Sequence, residues 1–287
     1  MVAVSAAAFG TLAIFARYAY ADGMDALTIL FLRFSLAAIL MLALLLVRRE
    51  RLPRGSVLLR LIGMGALGYV GQALAYLTAL KYASAGLVAL LLYLYPIFVA
   101  LLAALLLHET ITGVKGLALG LALTGTALTA GPLGGQTMGV LLAVAAAVIY
   151  SIYIIVGTDV MKSVSTVQSS VVIFTAAGMS AGVLMGVNGP HLPATGMGWA
   201  AITSIVVIAT LLPVAAFLSG LERIGPTNAA MLSTLEPVVT VVLASWWLNE
   251  TLSPLALLGG GMILIAVLLL THAELRRSRS AAPGQPL

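Results

Sequence analysis

Ten apolar runs, each near the length that crosses a lipid bilayer, follow one another along this chain with short polar breaks between them. A membrane-spanning α-helix needs about 20 consecutive, mostly apolar residues. The sequence therefore predicts an all-α polytopic membrane protein with ten transmembrane helices. We place the predicted spans at Val4–Tyr20, Leu27–Val47, Val57–Leu80, Ala85–Leu107, Val114–Ala130, Met138–Gly157, Val167–Val187, Gly198–Gly220, Asn228–Leu248 and Leu255–Leu270.

Composition supports a lipid environment. Only 8% of the 287 residues are charged and 62% are hydrophobic, whereas about 25% of the residues of a soluble domain are charged. The net charge of +5 does not indicate nucleic-acid binding, because most of the basic residues fall in or beside the loops between the apolar runs. The absence of cysteine excludes disulfides and cysteine-bound metal. We interpret the first apolar run as a membrane helix rather than a removable signal peptide.

The basic residues also predict an orientation. With ten spans, eleven of the 14 lysines and arginines fall on the side of the two termini, two (Arg17 and Lys81) on the other side, and Arg33 inside span two. Basic loops stay in the cytoplasm, so we expect both termini to be cytoplasmic and the protein to lie in the inner (plasma) membrane. The eleven are Arg48, Arg49, Arg51, Arg54, Arg60, Lys115, Lys162, Arg223, Arg276, Arg277 and Arg279.

The chain contains an internal repeat. The stretch that begins at Tyr76 aligns without gaps on the stretch that begins at Phe217, 141 positions later. The matched residues that are rare in such a composition are Pro96 with Pro237, and Glu109-Thr110 with Glu250-Thr251. Because each half holds five spans, the halves must cross the membrane in opposite directions. We predict repeats at 1–133 and 134–271, followed by a disordered cytoplasmic tail at 272–287.

The motifs that end these helices resemble a known family. Pro96 leads to His108-Glu109-Thr110, and Pro237 leads to Asn249-Glu250-Thr251. With ten spans in two halves, the chain resembles the drug/metabolite transporter superfamily, in particular its EamA-type members. Within it the chain looks most like bacterial amino-acid exporters, including the YddG type that handles aromatic amino acids. The resemblance implies a transporter and not an enzyme, and we expect Glu250 to tie loops at a membrane end rather than to bind substrate.

Span nine carries a polar stripe at membrane depth. Ser233, Glu236 and Thr240 are spaced by three and four residues, so they share one helix face. Ionisable groups inside a bilayer are costly and mark functional sites by default. We predict that Glu236 lines a substrate cavity, where it binds an ammonium group or carries a coupling proton. The alternative is a protonated Glu236 held in a hydrogen bond between helices.

A second stripe lies on span three. Tyr69, Gln72 and Tyr76 share one face, and the repeat pairs them with Thr210, Pro213 and Phe217 in span eight. A cavity between these spans would combine aromatic walls with a few polar groups, which suits an amphipathic organic solute. The alternative is ordinary helix packing. Tyr150 and Tyr153 of span six are weaker candidates for the same wall.

Prolines occupy equivalent places in the two halves. Pro96 and Pro237 each remove a helical hydrogen bond at midspan, and with Pro213 they are candidates for helix kinks or gating. Tyr95 is the repeat partner of Glu236 and is predicted to face the cavity. Tyr93 lies about 200° away around an ideal helix, so we expect it to pack elsewhere.

Arg33 lies inside span two, where it could extend to the interface, pair structurally, or hold a substrate carboxylate. The first two alternatives are favoured by the sequence. The histidines, His108, His191 and His272, do not share metal-ligand spacing. The sequence predicts no cofactor, no metal and no catalytic residues.

The function predicted from these features is secondary transport by alternating access. The protein is predicted to export small amphipathic metabolites. The expected substrates are amino acids, with aromatic ones favoured. The alternative is a proton-coupled exporter of drugs or of other metabolites such as nucleosides or sugars. We expect a monomer, with a dimer as the alternative.

Overall fold

The structure is a computed structural model that describes residues 1–106, 113–130, 136–160, 163–214, 216, 233 and 235–280. All regular elements in these ranges are helices. Two of them are π-helical turns, at Met64–Tyr69 and Val207–Leu211. The α-helices are α1 (Val2–Gly10), α2 (Leu12–Ala21), α3 (Ala26–Val47), α4 (Ser56–Gly63), α5 (Val70–Tyr82), α6 (Ala85–Leu92), α7 (Tyr95–Leu106), α8 (Gly113–Ala130), α9 (Thr137–Val160), α10 (Thr166–Asn188), α11 (Gly196–Val206), α12 (Leu235–Trp247) and α13 (Pro254–Ser280).

The helices match the predicted spans. Eight stretches of the described chain are long and apolar enough to cross a membrane, and two shorter apolar helices, Gly113–Leu128 and Leu235–Trp247, fall in the remaining predicted ranges. The prediction of a polytopic helical membrane protein is confirmed. In span nine the continuous described helix begins at Leu235 instead of Asn228, because residues 217–232 and 234 lie outside the described ranges. The cytoplasmic termini and the repeat boundaries stay predictions.

The bundle is assembled mainly from contacts between the two predicted halves. Helix α3 packs on α10, α8 packs on α13, and α5 packs on α9. Many core positions are alanines with no exposed surface, including Ala13, Ala16 and Ala177. Small residues let helix backbones approach closely, and close packing drives helix association in lipid.

Gly65 sets the closest approach between the helices that begin at Ser56 and Thr166. A Cβ atom on Gly65 would clash with the carbonyl oxygen of Ile173 and lie 2.9 Å from its Cα atom, so a side chain would force the two backbones apart. Gly63, two residues earlier, has nothing within 4 Å of its Cβ position. We expect Gly65→Ala to destabilise the fold by about 1–3 kcal/mol, the usual cost of overpacking.

The measurement is the midpoint of thermal unfolding of the purified protein in detergent. Gly63→Ala is the matched control, and it is expected to leave the midpoint unchanged or slightly raised, because alanine favours the helix over glycine. Equal losses in both variants would contradict the packing role of Gly65.

Two helix irregularities lie at equivalent positions of the repeat. Subtracting 141 from Val207–Leu211 gives positions 66–70, which overlap the π-helical turn Met64–Tyr69. In the second half, the hydroxyl of Thr210 donates to the carbonyl of Ile205, five residues earlier, at 2.8 Å. Such turns occur often at functional sites, and here each turn contains one predicted cavity residue, Tyr69 or Thr210.

At one end of the bundle, Glu250 joins the two predicted halves. Its Oε2 accepts from the backbone N–H of Ala85 at 2.8 Å and of Gly86 at 3.5 Å, at the start of α6. Its Oε1 lies 3.2 Å from Nη2 of Arg17, which also donates to the carbonyl of Ala83 at 2.7 Å. The carboxylate therefore caps a helix N-terminus and pairs with an arginine. The expectation that Glu250 ties loops at a membrane end is confirmed.

A second connection lies at the same end. The Asp22 carboxylate accepts from the backbone N–H of Ala194 at 2.8 Å and from the hydroxyl of Thr195. Hydrogen bonds from Thr195 and Ala194 to the charged form hold the pKa of Asp22 below its ordinary value. The tryptophans Trp246 and Trp247 are exposed at this end, as expected of indole rings at a membrane interface.

Candidate functional site

A cavity of about 130 Å³ lies among the helices that carry the predicted polar stripes. Drug-sized pockets measure about 300–1,000 Å³, so this volume favours a smaller solute. Five of the predicted substrate-binding residues line it, namely Tyr69, Gln72, Tyr76, Tyr95 and Glu236, and of the two weaker candidates Tyr150 lines it and Tyr153 does not. The other lining residues are Phe9, Leu12, Arg33, Ala73, Leu92 and Tyr93.

Glu236 lies in the first turn of α12, on one side of the cavity. Its Oε2 accepts from the hydroxyl of Tyr93 at 3.0 Å, and that hydroxyl also contacts the carbonyl oxygen of Ser233. Pro237 has no N–H for the Ser233 carbonyl four residues before it, which is why an outside donor is needed there. One hydroxyl hydrogen cannot fully satisfy both acceptors. Glu236 therefore keeps hydrogen-bonding capacity for a proton or a cationic group in the cavity.

The expectation that Tyr93 packs elsewhere was wrong. It assumed an unbroken helix with about 100° per residue. In the structure α6 ends at Leu92, Tyr93 and Leu94 form a turn, and α7 begins at Tyr95. The turn brings Tyr93 and Tyr95 to the same cavity, with ring centroids 5.7 Å apart. Pro96 just after the break was the signal in the sequence that the helical angle would not hold.

Arg33 occupies another part of the cavity wall. Its Nε donates to the hydroxyl of Thr210 at 2.9 Å, and its guanidinium lies 5.3 Å from the ring centroid of Phe34. Only 4% of the residue is exposed, so the side chain does not extend to the interface as one favoured alternative held. Within the described ranges, neither Nη group has a hydrogen-bond acceptor. Thr210 and Phe34 thus position a guanidinium whose outer nitrogens remain available.

Six aromatic rings run in sequence between the two charged groups. Each ring contacts the next, with centroids 4.8–5.9 Å apart. From the Glu236 side to the Arg33 side they are Tyr93, Tyr95, Tyr150, Tyr153, Tyr69 and Phe34. We call this set the aromatic arc. Four of these rings, Tyr93, Tyr95, Tyr150 and Tyr69, line the cavity and give it a polarisable wall beside its charged groups, and Tyr153 and Phe34 pack behind them.

The remaining predicted residues that the structure describes do not line the cavity but pack around it. The hydroxyl of Thr240 donates to the carbonyl oxygens of Gly10 at 3.0 Å and of Glu236 at 3.1 Å. A Cβ on Gly10 would lie 2.9 Å from the Glu236 carbonyl oxygen, so the glycine lets α1 press against α12. The carbonyl oxygen of Ser233 contacts the hydroxyl of Tyr93. The Pro213 carbonyl accepts from the hydroxyl of Ser5 at 2.7 Å, and Phe217 lies outside the described residues.

Comparison with known proteins decides the family. The sequence profile of the EamA-like transporter family matches residues 1–131 and again residues 137–272. The chain belongs to the EamA-like transporter family. Members of this family are transporters and not enzymes, so the chain is a multi-span membrane transporter.

Several relatives extend over most of the chain. An uncharacterized transporter of Archaeoglobus fulgidus is 27% identical over 93% of this chain and 94% of its own. The uncharacterized inner membrane transporter YedA of Escherichia coli K12 is 26% identical, over 83% and 79%. A probable terminal-alkyne amino-acid exporter of Streptantibioticus cattleyicolor is 29% identical, over 82% and 80%.

A solved structure supports the fold. It is described only as the crystal structure of a protein, is 20% identical, and superposes with a TM-score of 0.68 over 96% of both chains. At that identity the likeness supports the fold alone.

Proposed function

We propose that this transporter carries zwitterionic amino acids, with Arg33 binding the α-carboxylate, Glu236 binding the α-ammonium, and the cavity-lining tyrosines of the aromatic arc contacting the side chain. The observation behind the proposal is that a cation and an anion line one cavity without pairing with each other in the described part of the chain. Burying two unpaired opposite charges is costly. A zwitterion that contacts both would offset that cost.

The hydrogen bonds that Arg33 and Glu236 already make leave each of them able to bind one end of an amino acid. Arg33 uses Nε for Thr210 and keeps its outer nitrogens, which match a carboxylate in a two-point geometry. Glu236 shares a hydroxyl hydrogen with the Ser233 carbonyl and so has room for a stronger donor. The faces of Tyr93 and Tyr95 also attract a cation. The name of the relative from Streptantibioticus cattleyicolor, an amino-acid exporter, is in line with this substrate class.

The predicted repeat supports a transport cycle by alternating access. If the halves are inverted, rocking one half against the other opens the cavity to each side in turn around a fixed site. We propose export as the physiological direction and aromatic amino acids as the favoured substrates, because the walls are rich in tyrosine.

A second candidate is exchange of a proton for an organic solute at Glu236. The hydrogen shared between two acceptors favours it, since a proton on Glu236 would relieve the competition. We prefer uncoupled transport, because Glu236 is the one carboxylate among the described residues that line this cavity.

The test is flux of labelled phenylalanine into liposomes that contain the purified protein, with and without a pH gradient. We expect saturable flux that the gradient does not change. Unlabelled phenylethylamine, which lacks the carboxylate, and phenylpropionate, which lacks the ammonium, should each compete at least about tenfold more weakly than phenylalanine, as one lost charged hydrogen bond implies.

Flux of solutes that are not amino acids distinguishes an amino-acid transporter from a proton-coupled exporter of other compounds. Flux of a nucleoside, or of tetraphenylphosphonium driven by a pH gradient, with no amino-acid flux would overturn the amino-acid assignment and favour the proton-coupled exporter.

A further inference from the structure

A second, larger cavity opens on the outer surface of the bundle between α4 and α10. It measures about 430 Å³ and is almost entirely apolar. Leu52, Leu58 and Ile62 form one wall, and Thr175, Ala176 and Met179 form the other. We call it the α4–α10 groove. Leu52, Ile62 and Met179 are exposed, so the groove faces the surroundings of the bundle and is separate from the cavity that Glu236 lines.

The groove has the size of a lipid chain. From Leu58 to Ala66 the helix rises about 12 Å at 1.5 Å per residue. One leaflet of the hydrocarbon core is about 15 Å thick. The close approach of Gly65 and Ile173 brings the two walls together at the inner side of the groove. The groove is therefore deep and long enough for much of one acyl chain.

The chain segment around Leu52, a residue of the groove wall, is strongly basic. Five arginines occur between positions 48 and 60, all of them exposed. None forms an ion pair within the ranges that the structure describes. The nearby carboxylate of Glu50 instead accepts from the hydroxyl of Ser165. Arg51 precedes Leu52 of the groove wall, and Arg54 follows it by two residues. This segment thus places uncompensated positive charge beside the apolar groove.

We propose that the α4–α10 groove binds an anionic phospholipid, with one acyl chain in the groove and the headgroup phosphate against Arg51 and Arg54. Clusters of four to eight basic residues next to a membrane helix attract anionic headgroups. A zwitterionic lipid would fill the α4–α10 groove equally well but would leave the arginines without a net negative partner. Because the arginines lie beside the groove, we expect it to select lipids by the charge of the headgroup.

The test is native mass spectrometry of the full chain in detergent with equal amounts of phosphatidylglycerol and phosphatidylcholine of identical acyl chains. We expect the first bound lipid to be phosphatidylglycerol. In Arg51→Gln/Arg54→Gln the preference should fall by about fivefold for each arginine removed. Thr175→Phe, which fills the groove from an exposed position, should reduce binding of both lipids.

The matched control is Arg276→Gln/Arg277→Gln, which removes the same charge from α13, a helix packed mainly on α8. It should keep the preference of the unmodified chain. An equal fall in this control would overturn the proposal in favour of non-specific charge attraction. Displacement of the lipid by soluble glycerol phosphate at similar concentration would overturn it as well, because the site would then be a phosphate site that does not use the groove.

Discussion

Glu236→Gln is expected to reduce phenylalanine flux into liposomes by at least about tenfold, and up to about a hundredfold. The amide keeps the size of the side chain and can still accept from Tyr93, but it loses the charge that would bind an ammonium group. Hydrogen bonds to charged groups contribute about 1.5–3 kcal/mol, and each 1.4 kcal/mol corresponds to a factor of ten. The measurement is the initial rate of labelled phenylalanine uptake at sub-saturating concentration.

Glu50→Gln is the control, because Glu50 is a carboxylate outside the cavity whose contact with the Ser165 hydroxyl an amide oxygen can maintain. It should transport as the unmodified chain does. Competition by phenylpropionate, which has no ammonium, should be nearly unaffected in Glu236→Gln. If the variant keeps its flux at full rate but no longer responds to a pH gradient, Glu236 carries a proton and does not bind the substrate ammonium.

Arg33→Gln is expected to lower phenylalanine flux as much as Glu236→Gln does. The two variants should differ in which competitor, phenylethylamine or phenylpropionate, keeps its strength. The variant loses the paired nitrogens that we assign to the substrate carboxylate, so phenylethylamine should compete as well in the variant as in the unmodified chain. Arg33→Lys should recover part of the flux, since lysine restores the charge without the planar geometry. The measurement is the ratio of the inhibition constants of phenylalanine and phenylethylamine.

Thr210→Val separates position from charge. It keeps the guanidinium but removes the acceptor that holds Nε at 2.9 Å. We therefore expect a loss of phenylalanine flux smaller than that of Arg33→Gln, with an unchanged ratio of the inhibition constants of phenylalanine and phenylethylamine. A role for Arg33 in folding alone predicts a different pattern. Arg33→Gln would then lower the unfolding midpoint in detergent and weaken both competitors alike, and the carboxylate assignment would be rejected.

The positions of the helices were predictable because lipid imposes a simple constraint on them. The backbone must satisfy its hydrogen bonds within the span, so length and apolar composition alone located α3 and α10 to within one residue at each end. The stripe of Tyr69, Gln72 and Tyr76 was also predictable, because helical spacing held well enough across one π-helical turn for all three to reach the cavity.

Other parts of the site depend on contacts that no local pattern contains. Arg33 meets Thr210 across 177 positions of sequence, so neither its burial nor its partner follows from span two alone. Thr240 shares a face with Glu236 in the sequence, yet it bonds to α1, because Gly10 lets that helix approach. Tyr93 was misplaced because a broken helix does not keep a constant angle per residue.

By sequence, the backbone donors that Glu250 uses at the start of α6 are not all repeated in the other half. The repeat pairs Glu250 with Glu109, but it pairs Ser84 and Ala85 with Gly225 and Pro226. Glycine has no hydroxyl to cap a helix, and proline has no N–H to donate. A tie made by Glu109 would therefore have fewer donors than the tie made by Glu250.

If the two halves rock against each other as proposed, unequal ties would give the two open states unequal populations. That bias cannot determine the direction of net flux, which the solute gradient sets. It does change the concentration at which each side saturates, because the apparent Kd is the intrinsic Kd divided by the fraction of molecules open to that side. The same cavity would then present a high-affinity entrance on one side of the membrane and a low-affinity entrance on the other.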